Sequence, residues 1–530
     1  MTRPAAATRV AVVLACAAPI VARLLLPNVT PNDGFYGHAA FMLSRGATPY
    51  HDFVQVAFPL AEGVLALAVR IFGHDLRTIE LANALMIGAV ALALHRAGRA
   101  LAGPRAGVVA ALAWCWSLWV VHFNLFERET WAALGVALAF GAHARWAPPS
   151  AAGAARDARL PSRGSSAGRV ADALLLAVLV KLTALFAALG LVAHLLLGGR
   201  TRDALALAWR FAALLLVATL AGWALWGQAF LVQVWLFGFF RSAQGLRAGD
   251  ALAQLLGWAD PVTVLGLAAL LAVGLPNLRH AAGAPALVLL CQLAYALLLS
   301  PTLWDHNLIE LAPAGALLLG AAAAQWPRGR LALAAATGAL VVAIATLGRP
   351  WLEGDYGPWG AGFGGWPRDA ITRRGEFLAR HSAPDALVVT SNPWWSFQGG
   401  RVEAVRYWEL APVIDGIEAS LHADGLAATL ARREGPLLLG PGPGAGADSP
   451  ASAARAAALG PFVGRLVANA LVYTRPALLD ALARHEIVLL LEPLPPAVLE
   501  PDDLQRAGYE RFEDHELGLA AWRPPAPAPR

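Results

Sequence analysis

The chain is poor in charge and in cysteine, and each of these scarcities excludes a class of protein. Only 15% of its 530 residues are charged and 58% are apolar, whereas about a quarter of an ordinary soluble chain is charged. A soluble enzyme and a disordered chain are therefore excluded. Cys16, Cys115 and Cys291 all lie in apolar stretches, which excludes a disulfide framework. The basic residues form no cluster interleaved with exposed aromatics, so no nucleic-acid partner is predicted.

Long apolar stretches predict a polytopic α-helical membrane protein. About 20 apolar residues cross a bilayer as a helix. On that rule the predicted spans are 9–27, 78–97, 106–122, 130–146, 204–226, 261–277, 284–300, 308–325 and 331–348.

The segment 171–198 is either one long span or a hairpin with Lys181 near its turn. Arginine accumulates in cytoplasmic loops, and the arginine positions are consistent only with the hairpin. This gives about 11 membrane segments, a cytoplasmic N-terminus and an external C-terminus.

Amphipathic stretches in the outer loops predict helices that lie along the membrane interface. Two of them, Phe35–Arg45 and Phe58–Gly73, belong to the first outer loop, and Phe230–Phe240 belongs to a later one. Because these stretches share one face of the membrane, function is predicted on that face.

The composition changes after residue 348, which predicts two domains: 1–348 in the membrane and 349–530 outside it. The second part contains strand-like and helix-like segments and is predicted to be a small extracytoplasmic α/β domain with a disordered tail at 524–530. The strand-like segments are Ala386–Thr390, Pro436–Leu439 and Ile487–Leu491, and the helix-like ones are Asp415–Arg433 and Pro476–His485. Its aromatic residues can stack on sugar or fill a core, and the core is favoured. They are Trp394, Trp395, Tyr407 and Trp408.

The first outer loop carries the first candidate site. Asn32 and Asp33 precede the predicted helix that begins near Phe35. A carboxylate at the headgroup level can act as a general base or a metal ligand. Alternatively, Asn32 or Asp33 is simply the N-cap of this helix.

Three further candidates lie in or near the outer face. Glu127, Arg128 and Glu129 stand between two predicted spans and either orient a substrate or form a charge cluster that ends two helices. Lys181 lies in apolar sequence, where it either contacts a phosphate or snorkels to the interface. His306 lies in a loop before a proline-containing span, and its role is left open.

The first loop resembles that of the GT-C membrane glycosyltransferases, in particular the bacterial relatives of protein O-mannosyltransferases and of the lipid A aminoarabinose transferase. Those proteins have an Asp-Glu pair, a tyrosine, a Gly-x-x-Pro-Tyr-x-Asp stretch and a Pro-Leu pair. The matching residues here are Asn32-Asp33, Tyr36, Gly46 to Asp52 and Pro59-Leu60. The resemblance covers residues 1 to about 348.

This resemblance implies an inverting glycosyltransferase of the bacterial inner membrane. It would move a sugar from a polyprenyl-phosphate donor to a glycan, lipid or protein acceptor on the periplasmic side. Asp33 and Glu129 would be catalytic, with or without a divalent ion between them. The substrate would contact the other candidates, which are Asn32, Tyr36, Asp52, Glu127, Arg128, Lys181 and His306.

The chain departs from the family at Asn32, where the family has its first acid. Asparagine cannot accept a proton at neutral pH. Either Asp33 takes the role, or the chain is an inactive relative that binds lipid-linked sugar. A transporter or flippase for lipid-linked glycans is the rival class, although transport sites lie near the bilayer midplane and the acids here lie in outer loops.

Overall fold

The computed structural model of the chain describes most of residues 1–348 and about two fifths of residues 349–530. The described residues are 3–25, 28–29, 35–53, 55–117, 120, 125–146, 163–237, 252, 255, 261–299, 307–325, 366–384, 386–390, 392–403, 479, 481–492 and 499–525.

Helices dominate the described part of the chain. In chain order they are α1 (Arg3–Leu25), α2 (Phe35–Ser44), α3 (Leu60–Phe72), α4 (Leu76–Ala102), α5 (Pro104–Cys115), α6 (Arg128–Trp146), α7 (Arg163–Val180), α8 (Leu185–Leu197), α9 (Thr201–Phe230), α10 (Pro261–Ala269), α11 (Gly283–Ala294), α12 (Leu308–Gln325), α13 (Arg368–His381), α14 (Pro393–Gly399) and α15 (Pro501–Arg506). The strands are β1 (Asn28–Val29), β2 (Trp366–Pro367), β3 (Leu387–Val389), β4 (Val402–Glu403), β5 (Ile487–Leu491), β6 (Glu510–Asp514) and β7 (Leu519–Arg523).

The chain divides into two compact units. The helical unit consists of 1–32, 80–220 and 246–366, and the second unit of 33–79, 221–245 and 367–530. The predicted boundary at 348 lies outside the described residues, so the two-domain division stays a prediction.

Small residues allow close helix contacts in the helical unit, where α6 packs on α7 and α8 on α11. A Cβ atom on Gly135 of α6 would lie 2.6 Å from the carbonyl oxygen of Ala173, and one on Gly190 of α8 would lie 2.5 Å from Cα of Val288. Close approach of this kind is how helices associate where no water-driven force acts between them.

The chain reverses direction at Lys181, between α7 and α8. Gly135 of α6 meets the last third of α7, and Lys181 contacts Glu129 near the start of α6. Nε2 of His143, near the end of α6, then lies 2.9 Å from Nδ1 of His194 in α8. Since α7 approaches the start of α6 and α8 returns toward its end, the contacts agree with the predicted hairpin.

Among the described residues, three helices are long and apolar enough to cross a membrane, judged by length and composition: Leu76–Ala102, Thr201–Leu236 and Leu308–Gln325. The predicted span 106–122 is shorter than expected, because α5 ends at Cys115. The predicted span 331–348 lies outside the described residues. The count of about 11 segments therefore stays a prediction.

A glycine separates α9 into two parts. Gly227 has φ 65° and ψ −150°, a conformation that side chains with Cβ rarely adopt, and the helical backbone resumes after it as far as Leu236. The predicted stretch Phe230–Phe240 is thus a separate helical segment as far as the structure describes it.

The second unit contains the predicted helices of the first outer loop and a mixed sheet. Helix α2 packs on α3 and on α14. The sheet has the order β4-β3-β5-β7-β6, with β3 parallel to β4 and β5, and β7 antiparallel to β5 and β6. The strands β3 and β5 confirm the strand-like segments Ala386–Thr390 and Ile487–Leu491.

Aromatic residues of α14 belong to the core, as predicted. Trp394 and Trp395 are buried, and the indole of Trp394 rests where a side chain on Gly37 of α2 would be, 2.2 Å from an added Cβ. Several other predictions lie outside the described residues: Pro436–Leu439, Asp415–Arg433, Tyr407 and Trp408. Of the predicted helix Pro476–His485, the structure describes 479 and 481–485, and 479 and 481–483 are helical.

Candidate active site

A buried ion-pair cluster occupies the break between α7 and α8. Lys181 has an extended backbone, with φ −149° and ψ 122°, and ends α7. Its ammonium contacts the carboxylate of Glu129, in the first turn of α6. It also lies 2.8 Å from Oε1 of Glu310, in the first turn of α12. Three helix ends are thereby joined by one lysine.

A threonine completes the Lys181 cluster, by which we mean Glu129, Lys181, Thr183 and Glu310. The hydroxyl of Thr183 donates a hydrogen bond of 2.6 Å to Oε1 of Glu310. The side chains of Lys181, Glu129 and Glu310 are only 18%, 3% and 10% exposed. Charges so far from water are tolerated when they are paired and hydrogen-bonded, and the cluster meets both conditions.

The residues around Glu129 are buried as well. Glu127 and Arg128 are 0% and 4% exposed. The indole of Trp131, one turn into α6, donates a hydrogen bond of 3.3 Å to Oδ1 of Asn83.

The first outer loop is described from Phe35 onward, and Asn32 and Asp33 lie outside the described residues. Tyr36 is half-buried in the first turn of α2. His38, one turn further, is buried, and burial lowers its pKa to about 4 because the imidazolium form cannot be hydrated there. His38 is therefore a neutral imidazole at physiological pH.

Asp52 closes the turn that follows α2. Its Oδ2 accepts a hydrogen bond of 2.6 Å from the backbone N–H of Thr48, and its own N–H donates to the Thr48 carbonyl at 3.0 Å. Tyr50 within this turn has φ 70°, and its hydroxyl donates to the Ala57 carbonyl at 2.8 Å. The predicted substrate residue Asp52 thus has a structural role in the turn.

Comparison with known proteins gives the fold. No family model and no curated protein matches the sequence. The structure of ArnT from Cupriavidus metallidurans in the apo state is similar to this chain, with a TM-score of 0.53 and 15% identity over 91% of this chain and 81% of that one. ArnT bound to undecaprenyl phosphate gives a TM-score of 0.50 and 16% identity over 94% and 87%. ArnT is the lipid A aminoarabinose transferase, a GT-C protein. This chain has the GT-C fold.

The oligosaccharyltransferase of Archaeoglobus fulgidus in complex with Zn and sulfate is more distant, with a TM-score of 0.48 and 15% identity over 76% of this chain and 63% of that one. The resemblance to GT-C proteins predicted from the first outer loop is confirmed for the fold. Together with the three long apolar helices, the GT-C fold identifies the chain as a membrane protein.

Within the GT-C fold, the predicted residues Glu129 and Lys181 come together, whereas Glu310 and Thr183 were not predicted as site residues. Glu310 could have been found from the sequence, because an acidic residue in the apolar stretch 308–325 needs a polar or charged partner. The structure does not describe His306. The roles of all these residues in binding and catalysis stay predictions.

Of the two predicted metal ligands, the structure describes only Glu129, whose carboxylate contacts the ammonium of Lys181. In the part of the chain that the structure describes, no three His, Cys, Asp or Glu side chains are grouped to hold a metal ion.

Proposed function

We propose that this chain is a membrane glycosyltransferase that transfers a sugar from a polyprenyl-phosphate donor to an acceptor outside the cytoplasm. The observation that carries the proposal is the likeness to ArnT, which extends over 94% of this chain in the form bound to undecaprenyl phosphate. The loop residues that match the family's motif, and the buried cluster of carboxylates, support it.

The chemistry requires a base for the acceptor hydroxyl. We assign this role to Asp33, which stands two residues before the start of α2 in the sequence. Glu129 and Glu310 both contact the ammonium of Lys181, and Glu310 also accepts the hydrogen bond from Thr183, so we assign both as hydrogen-bond acceptors. Two carboxylates already contact the single positive charge of Lys181, so this ammonium attracts the phosphate of a donor only weakly. We therefore assign Lys181 to holding Glu129 in place.

The proposed location is the bacterial inner membrane, with about 11 membrane segments, a cytoplasmic N-terminus and a periplasmic C-terminal domain. A reporter that is active only in the periplasm, fused after Ala521, should be active. A fusion that is active only as a cytoplasmic reporter would mean that the arrangement of loops must be reversed.

Mass comparison of envelope lipids and glycans tests the reaction. We expect a deletion strain to lack a product that is one sugar heavier than its acceptor, and to regain it with the wild-type gene. The purified chain should form the same product from the extracted lipids of the deletion strain. A transporter would restore the product in cells but form none in the purified system. Absence of any difference between the strains would refute the enzymatic proposal and leave the inactive binding relative, which Asn32 favours.

A further inference from the structure

A short helix from the C-terminal part of the chain packs on α2, the helix that begins two residues after the proposed base Asp33. This short helix is α14, and both helices belong to the second unit. The ring of Phe397 in α14 meets that of Phe41 in α2 edge-on, with centroids 6.4 Å apart. Just beyond the end of α2, Arg45 donates a hydrogen bond of 3.2 Å to the Pro384 carbonyl. Residues that are distant in the sequence therefore hold one side of α2.

Both ends of α14 are fixed by hydrogen bonds. At the start, Oδ1 of Asn392 accepts a hydrogen bond of 2.9 Å from the backbone N–H of Trp394. At the other end, Gly400 ends the helix with φ 64°, and the guanidinium of Arg401 donates to the Gly399 carbonyl at 2.9 Å. A helix that is fixed at both ends provides a rigid support for the elements packed on it.

Glycine at position 37 leaves room in α2 for the indole of Trp394. A Cβ atom on Gly37 would lie 2.6 Å from Cη2 and 2.9 Å from Cε3 of this indole. Glycine within a helix costs about 1 kcal/mol relative to alanine, and a helix of ten residues depends mainly on tertiary packing for its stability. The orientation of α2 is therefore set by the groups that pack on it, and Trp394, which is 1% exposed, packs on its first turn.

We propose that Trp394 is a positioning residue, which sets the orientation of α2 and thereby directs Asp33 toward the acceptor hydroxyl. Gly37 stands four residues after Asp33, so only a short stretch of backbone joins the contact to the base. A displacement of about 1 Å can cost about 100-fold in rate. This inference rests on the proposed function, because it concerns the base of that reaction. It gives the C-terminal part of the chain a role in transfer that needs none of its own groups at the reacting atoms.

An exchange of size across the contact tests whether Trp394 acts through Gly37. Gly37→Ala should lower transfer by about 10- to 100-fold when the purified chain is assayed with the extracted lipids of the deletion strain. Trp394→Phe removes the outer ring of the indole, which carries the atoms that the added Cβ would meet. Trp394→Phe should also lower transfer, because α2 loses part of its support. The double variant should transfer better than either single variant, since the new methyl group fills part of the vacated space.

Gly63→Ala in α3 is the matched control for Gly37→Ala. Nothing lies within 4 Å of the Cβ atom added there, so this variant should transfer like the wild type. Normal transfer in Gly37→Ala, or a double variant that is no better than the single variants, would overturn the proposal.

Melting temperature and rate together separate positioning from plain packing. Gly37→Ala should lower the melting temperature by a few degrees, a loss that leaves nearly all molecules folded at about 25 °C. A purely structural role would therefore leave transfer at this temperature unchanged. Positioning predicts a lower kcat in the folded chain, with the KM for the extracted lipids within about 2-fold of the wild-type value. A loss of transfer that only follows the folded fraction would overturn the proposal.

The same assay distinguishes failure of this inference from failure of the proposed function. If the wild-type chain forms no product, the proposed function fails and the role of Trp394 fails with it. If the wild type transfers and Gly37→Ala transfers as well as Gly63→Ala does, the enzymatic function stands and only the positioning role is wrong.

Discussion

The Lys181 cluster and the Gln55 side chain are both buried, but they differ in how their polar groups are paired. In the cluster, the polar side chains pair with each other: one ammonium contacts two carboxylates and a threonine hydroxyl completes the second. The Gln55 amide pairs with nothing, although the neighbouring Gln233 is fully paired. Each buried charge of the cluster therefore has a partner, whereas the buried Gln55 amide has none.

The largest effect is expected at Asp33, which precedes the helix α2 of the second unit. Asp33→Asn removes the proposed base but keeps the shape and a helix-capping oxygen, so transfer should fall by about 10²–10⁴-fold with little change in folded yield. The measurement is product formation by equal amounts of purified chain, and Asn32→Asp should be tolerated. Near-normal transfer in Asp33→Asn, together with an inactive Glu129→Gln, would move the base to the helical unit.

The next largest effect is expected on stability at Lys181. Lys181→Met leaves two buried carboxylates without their cation and should destabilise the fold by about 3–5 kcal/mol, measured as loss of folded yield and melting temperature. Glu129→Gln and Glu310→Gln should restore much of this loss when combined with Lys181→Met.

An exposed basic residue provides the control for Lys181. Arg511 of β6 contacts Glu492 at 3.0 Å and Glu513 at 2.7 Å. These side chains are 44%, 29% and 48% exposed, and ion pairs that water reaches contribute little. Arg511→Met should therefore barely change the melting temperature. If Arg511→Met lowers the melting temperature as much as Lys181→Met does, burial does not explain the effect of Lys181.

His38 should make stability depend on pH. Its pKa is lowered from 6.5 to about 4 by burial, so between these values the unfolded chain binds a proton that the folded chain does not. The free energy of unfolding should accordingly fall by about 3 kcal/mol as the pH is lowered from 6.5 to 4. The measurement is denaturant unfolding across this range, and His38→Gln should flatten the profile. If the free energy of unfolding of His38→Gln depends on pH as steeply as that of the wild type, other groups cause the dependence.

The smallest effect is expected at the contact between α2 and α14. An alanine at Gly37 places its Cβ 2.2 Å from the Trp394 ring, so Gly37→Ala should cost about 1–3 kcal/mol in thermal unfolding. Gly63 in α3 is the control, because nothing lies within 4 Å of its added Cβ and alanine favours a helix. Gly63→Ala should stabilise the chain by about 0.5–1 kcal/mol. If Gly37→Ala and Gly63→Ala changed the melting temperature equally, the close contact between Trp394 and Gly37 would be contradicted.

Local patterns in the sequence were enough to predict several elements. The alternation and length of apolar residues predicted α2, α3 and the strand at Ile487–Leu491, and the loop motif predicted the GT-C fold. The lone lysine in an apolar stretch marked the point where the chain reverses. These features depend on residues that are close together in the chain, or on a motif that can be recognised as it stands.

Contacts between distant residues could be decided only by the tertiary structure. The sequence shows that Lys181 and Glu310 each need a partner, but it does not show that they are partners of each other. The same holds for Gln55 and Gln233, which are one residue type and nearly equally buried. Hydrogen bonding is directional and acts over about 3 Å, so only the folded backbone determines which amide is hydrogen-bonded and which is left unpaired.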